Sequence, residues 1–213
     1  KAMAGCSSRV AGSGSSGSGT TTVFINEIHY DDESTDEGEA IEIAGPAGTD
    51  LSGWSIVLYN GNDQRVYDTD TLTATIADSG NGYGFITQSY PTNGIQNGGP
   101  DGIALVDNSN TVIQFLSYEG SFTALDGPAA GMASTDIGVA ETSTTPAGHS
   151  LQLVGTGTMY EEFAWQNPAA DSFGSINAGQ TFGTGSGAGG TTGEVTQVEF
   201  FYRYSEDSVA WGT

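Results

Sequence analysis

Positive charge is nearly absent from this chain: 4 Lys and Arg stand against 26 Asp and Glu, for a formal charge of −22. A surface of that sign repels a phosphate backbone, which excludes nucleic-acid binding by charge. It suits high salt, where screening relieves self-repulsion, and it favours bound cations. The single cysteine, Cys6, excludes an intrachain disulfide framework, and it has no nearby His to activate a thiol. No apolar run approaches the roughly 20 residues of a membrane helix. The two histidines, His29 and His149, lie in no H-E-x-x-H pattern, and no G-x-S-x-G elbow is present. Those zinc and serine-nucleophile motifs are therefore missing.

What is abundant is glycine, with 33 residues, alongside Ser and Thr, while only 14% of the chain is charged. That composition favours short strands joined by tight turns. The runs "TVFINEIHY", "AIEIAG", "GWSIVLYN", "GYGFITQ", "DGIALVD", "TVIQFLSY", "HSLQLVG" and "EEFAWQ" read as strands between turn signals. "YNGND" and "VDNSNTV" carry hairpin chemistry. Strand alternation places Trp54, Ile56 and Leu58 on one face, with Ser55, Val57 and Tyr59 on the other. No stretch has a helical period. The expectation is an all-β chain, a two-sheet sandwich of the immunoglobulin-like kind with extended N- and C-terminal arms.

Gly/Ser-rich segments at 11–21 and 183–193 bracket this body and divide the chain into an N-terminal arm (1–21), a sandwich (22–183), and a linker with a C-terminal strand (184–213). Both segments match the spacing G-x-G-x-x-G, at Gly12, Gly14, Gly17 and at Gly185, Gly187, Gly190. Neither sits between a strand and a helix, so the matches read as low complexity. The C-terminal "EVTQVEFFYRYSED" alternates, with Val198, Phe200, Tyr202 and Tyr204 on one face. A lone strand is unstable in water. It is expected to join the body's sheet, open another domain, or add to a neighbour's sheet edge as an assembly strand.

Carboxylates concentrate in "NEIHYDDESTDEGEAIEI", residues 26–43. Asp31, Asp32, Asp36, Glu37 and Glu39 supply hard oxygens of the kind calcium takes, although their spacing is not that of an EF-hand. The alternative is a solvated acidic turn, where no burial raises a pKa and acid–base catalysis has no basis. Glu27, Glu39 and Glu42 lie within the strands. Under strict alternation Glu27 shares a face with Val23 and Ile25, and Glu39 with Ile41 and Ile43, so a carboxylate there is expected to be partly buried and to accept backbone N–H bonds. Trp54, Trp165 and Trp211, with Tyr59, Tyr83, Tyr90, Tyr118 and Tyr160, offer stacking surface for a carbohydrate, although core packing is the default for aromatics in strands.

"KAMAGCSS" is similar to the end of a bacterial lipoprotein signal, in which a lipidated Cys6 would become the N-terminus. The presence of residues 1–5 argues against that processing, and a free or interchain-bonded thiol is the alternative. Membrane attachment is expected only if Cys6 is lipidated.

The body resembles the lamin-tail domain in its bacterial secreted form. The resemblance rests on Asn26, Glu27 and Ile28, then Gly38 and Glu39, then Glu42 and Ile43, then Leu51, Ser52, Gly53 and Trp54. "GGPDGIALVD", "VIQFLSYEG", "GHSLQL" and "WQNPAADSFGSINAGQTF" extend it over about residues 22–183. It implies an immunoglobulin-like sandwich without enzymatic activity of its own, found beside secreted nucleases, other hydrolases or adhesive repeats. The expected function is a non-catalytic extracellular module, self-associating by strand addition into a surface filament and requiring no cofactor, with calcium the candidate ion. The alternative is an accessory attachment domain of a longer secreted hydrolase.

Overall fold

The computed structural model describes residues 21–33 and 35–183. Eleven strands form two sheets: β1 (Phe24–His29), β2 (Ala40–Pro46), β3 (Ser55–Asn60), β4 (Arg65–Thr71), β5 (Tyr83–Ser89), β6 (Asp101–Val106), β7 (Val112–Tyr118), β8 (Thr135–Asp136), β9 (His149–Gly157), β10 (Phe163–Ala170) and β11 (Gln180–Phe182). The first sheet runs β10-β9-β1-β2-β5, with β11 parallel to the end of β9. The second runs β4-β3-β6-β7-β8. The one helical element among the described residues is a 3-10 turn at Tyr160–Glu162. The chain is all-β with two sheets, consistent with a sandwich.

Ile25, Ile28, Ile41, Ile43 and Leu151 of the first sheet pack against Ile56, Leu58, Ile103, Leu105 and Leu116 of the second. Each such side chain removed from water stabilises the fold by about 1.5–3 kcal/mol before entropy is set against it. The expected alternation of β3 is observed. Trp54, Ile56 and Leu58 pack in this inner core. Val57 and Tyr59 turn outward, where Phe122, Ala124 and Ala129 of the segment after β7 cover them. A third cluster, with Phe24, Ala44 and Phe182 at its centre, lies on the outer face of the first sheet, joined by Tyr83, Phe85 and Phe163.

Strict alternation fails in β1. Ile25 pairs with Ile43 while Glu27 pairs with Glu42, so Asn26 is an extra residue opposite a single step of β2. This bulge turns Glu27 away from the face of Ile25 and onto the outer face, beside Glu42. β4 was not evident in the sequence because it is an edge strand whose residues are exposed or half-buried on both faces.

Candidate functional site

Glu27, Asp31, Asp32, Asp36, Glu39, Glu42, Asp101 and Glu141 are buried, yet Arg65 is the only Lys or Arg among the described residues. That arginine lies at the surface, paired with Asp126 at 2.9 Å. A carboxylate removed from water needs hydrogen-bond donors. Here most of them are backbone N–H groups and neutral side chains.

On the outer face of the first sheet, Glu27 accepts from the Ser150 hydroxyl (2.6 Å) and from the N–H (2.8 Å) and hydroxyl (3.0 Å) of Ser172. Glu42 accepts from the Asn26 amide (3.0 Å), the Thr87 hydroxyl (3.2 Å) and Gly174 N–H (2.5 Å). These bonds fasten the loop after β10 onto the sheet. Burial raises Glu42 to about 7, and Asn26 and Gly174 only partly offset it. Burial likewise pushes Glu27 up against its serine donors.

The acidic loop after β1 is not the solvated turn that its composition suggests. Asp31, Asp32 and Asp36 are 8%, 3% and 6% exposed. Asp36 accepts Asp32 N–H at 3.1 Å and the Asn97 amide at 2.9 Å. Burial, and then the negative charge of Asp36, raise Asp31 to about 6. The loop is drawn in by Glu141, whose Oε2 accepts the N–H groups of Tyr30 (2.6 Å) and Asp31 (3.1 Å). Its Oε1 lies 3.0 Å from Nδ1 of His29, while Nε2 of that ring faces the Glu37 carbonyl at 3.2 Å. Burial opposes charge on His29, but Glu141 and the Glu37 carbonyl prevail and raise it to about 9. A protonated ring then donates from both nitrogens. With both committed and the ring 2% exposed, His29 positions the loop.

The candidate calcium ligands are therefore split. Asp31, Asp32 and Asp36 are buried in one loop. Glu37 is exposed, and Glu39 turns to another loop. Among the described residues no three His, Cys, Asp or Glu side chains converge as a metal-ligand set. Glu39 fulfils the expectation of a buried acceptor at the rim: its carboxylate takes Gly94 N–H at 2.7 Å and Ile95 N–H at 2.9 Å. The assembly-strand candidates Val198, Phe200, Tyr202 and Tyr204, together with Trp211 and Cys6, lie outside the described residues.

The 93–98 loop held by Glu39 forms one wall of a cleft of about 390 Å³. Asn93, Gln96, Asn97 and Asp36 line that wall, and Asn60, Asn62 and Asp101 line the other. The wall is rigidly anchored from beneath: Gln96 N–H donates to the Tyr67 hydroxyl at 3.0 Å, and the Tyr118 hydroxyl donates to the Gln96 carbonyl at 2.5 Å. Opposite, Asp101 accepts Gly61 N–H at 3.0 Å, and the Asn60 side chain accepts Asn62 N–H at 2.8 Å. Gly61 is obligatory for space, because a Cβ there would lie 1.8 Å from the Pro100 carbonyl oxygen. Composition did not single out this cleft. Its visible trace in the sequence is two amide-rich stretches, "YNGND" and "TNGIQNGG".

No family model matches the chain, and neither a curated protein nor a solved structure matches it.

Proposed function

We propose that the chain is a non-catalytic module of an extracellular structural assembly, an immunoglobulin-like sandwich of the lamin-tail kind whose copies join by strand addition. The observation that carries this reading is the character of β5. Exposed sheet edges are normally blunted by charge, proline or shortness. β4 has Arg65, Asp68 and Asp70, β10 has Pro168, and β8 is only two residues long. β5, "YGFITQS", has none of these guards, and it pairs in register with β2 over seven residues. The segment before it caps its start, with Ser79 N–H donating to the Tyr83 carbonyl. From Phe85 to Ser89 no second strand flanks it among the described residues. An added strand would gain main-chain bonds there, and its alternate side chains would meet Phe85 and the outer aromatic cluster. The segment 195–204, with Val198, Phe200, Tyr202 and Tyr204 on one face, has the matching pattern. A head-to-tail contact of this type that does not close produces a filament.

Light scattering and electron microscopy test the reading. The full chain is expected to polymerise, deletion of residues 194–213 to leave a folded monomer, and a peptide of residues 195–204 to shift the amide resonances of Phe85–Ser89 in that monomer. A monomeric full chain, or a peptide that leaves β5 undisturbed, refutes strand addition. The second reading, an accessory attachment domain of a longer secreted hydrolase, is favoured by the polar cleft.

A further inference from the structure

We propose that the cleft between the β3–β4 turn and the 93–98 loop is a binding site for a neutral saccharide. Its size falls within the roughly 300–1,000 Å³ range typical of small-ligand sites, at about 390 Å³. The sign of the protein excludes anionic ligands: the described residues carry one basic side chain, Arg65, and the cleft is lined by none. The choice is between a cation and a neutral polar molecule, and the hydrogen bonding separates them. Both carboxylates of the cleft are engaged by protein donors, Asp36 by Asp32 N–H and the Asn97 amide, Asp101 by Gly61 N–H. Asn62, Asn93 and Gln96 line the cleft, and their side-chain amides have no such engagement among the described residues. Each amide offers two donors and an acceptor in one plane. Adjacent hydroxyls on a sugar ring, each both donor and acceptor, present the complementary pattern. A cation uses only the amide oxygens and leaves the NH2 donors without a partner.

The cleft is also preorganised. Glu39 holds Gly94 and Ile95, while two tyrosine hydroxyls hold Gln96 at its N–H and its carbonyl. The amide side chains are thus presented from a fixed backbone, and little ordering entropy remains to be lost on binding. Ile95 between them anchors the loop from the core, where it is buried. This inference is independent of strand addition, since β5 contributes nothing to the lining.

The test is a titration of the full chain with maltotriose, cellotriose, galactotriose and chitotriose, followed through side-chain amide resonances. At least one sugar is expected to produce saturable shifts centred on Asn62, Asn93, Gln96 and Asn97. The double variant Asn62→Ala, Asn93→Gly is expected to weaken that binding at least tenfold with an unchanged melting temperature; glycine at 93 retains the left-handed backbone (φ 53°). If the double variant does not fold, Asn62→Ala alone is read for a weaker but measurable loss. Absence of saturable shifts with all four sugars, shifts centred elsewhere, or undiminished binding by the variant overturns the proposal. A calcium chloride titration that moves these resonances when no sugar does assigns the cleft to a cation instead, and likewise overturns it.

Discussion

Nδ1 of His29 lies 3.0 Å from Oε1 of Glu141, 112 residues further along the chain, with both side chains closed off from solvent. The pair ties the end of β1 to a segment that contributes no strand. Its charge state is linked to stability. The imidazole is raised from 6.5 to about 9, so the folded chain binds the proton more tightly than the unfolded chain. The stability it confers is complete below about pH 6.5 and is lost as pH rises through about 9. Thermal melts between these values should show that decline, and the His29 ring resonances should titrate near 9. Glu141→Ala should cost about 3–5 kcal/mol by stranding a buried charge, and should abolish the alkaline titration.

The buried carboxyls act in the same direction. Asp31 rises from 3.8 to about 6 and Glu42 from 4.5 to about 7. Across each window the folded state holds more protons than the unfolded state, so stability falls as pH rises. The melting temperature should therefore be highest in mild acid and decline through neutrality. In Glu42→Gln the part of the decline between 4.5 and about 7 should diminish, as read from melts of the two proteins over that interval.

Glu39→Ala should release Gly94 and Ile95. The buried Ile95 N–H without an acceptor costs about 1–3 kcal/mol, and the half-buried Gly94 N–H less. Hydrogen exchange at those two amides should accelerate relative to the core of β6, which the change does not touch.

Gly61→Ala forces a methyl group into the Pro100 carbonyl. The expected loss is about 1–3 kcal/mol, the usual cost of overpacking. Chemical denaturation should report it as a lower midpoint with an unchanged slope.

With a formal charge of −22, self-repulsion is screened by salt. Raising sodium chloride from roughly 0.01 M to roughly 1 M shortens the screening length from about 30 Å to about 3 Å. The melting temperature should rise over that range, and by slightly more in Arg65→Gln, which is more negative and lacks the Asp126 pair that salt weakens in the parent; the difference should be small, since exposed pairs contribute little.

The strands with apolar runs were legible because burial on one or both faces is written into their composition, as in β6 and β9. β11 was not: three residues, Gln180–Phe182, become a strand only by lying along β9. The bulge at Asn26 was equally hidden, and with it the outward turn of Glu27. The acidic loop misled most. Asp31 and Asp32 look solvated in sequence because charge ordinarily seeks water, and the group that holds the start of their loop, Glu141, sits in a turn-like stretch with no pattern of its own. A rim acceptor was expected among Glu27, Glu39 and Glu42 because their strands alternate, and Glu39 fills that place. Its partners, at 94 and 95, were not foreseeable from spacing.

The solitary Arg65 has a consequence for digestion. Trypsin cuts after lysine and arginine, and residues 21–183 offer it one peptide bond, Arg65–Val66. That bond is itself restrained in β4, where Asp126 binds the guanidinium at 2.9 Å and the Val66 N–H at 2.9 Å. A protease of this specificity meets a folded body with a single scissile point, clamped on both sides by one aspartate.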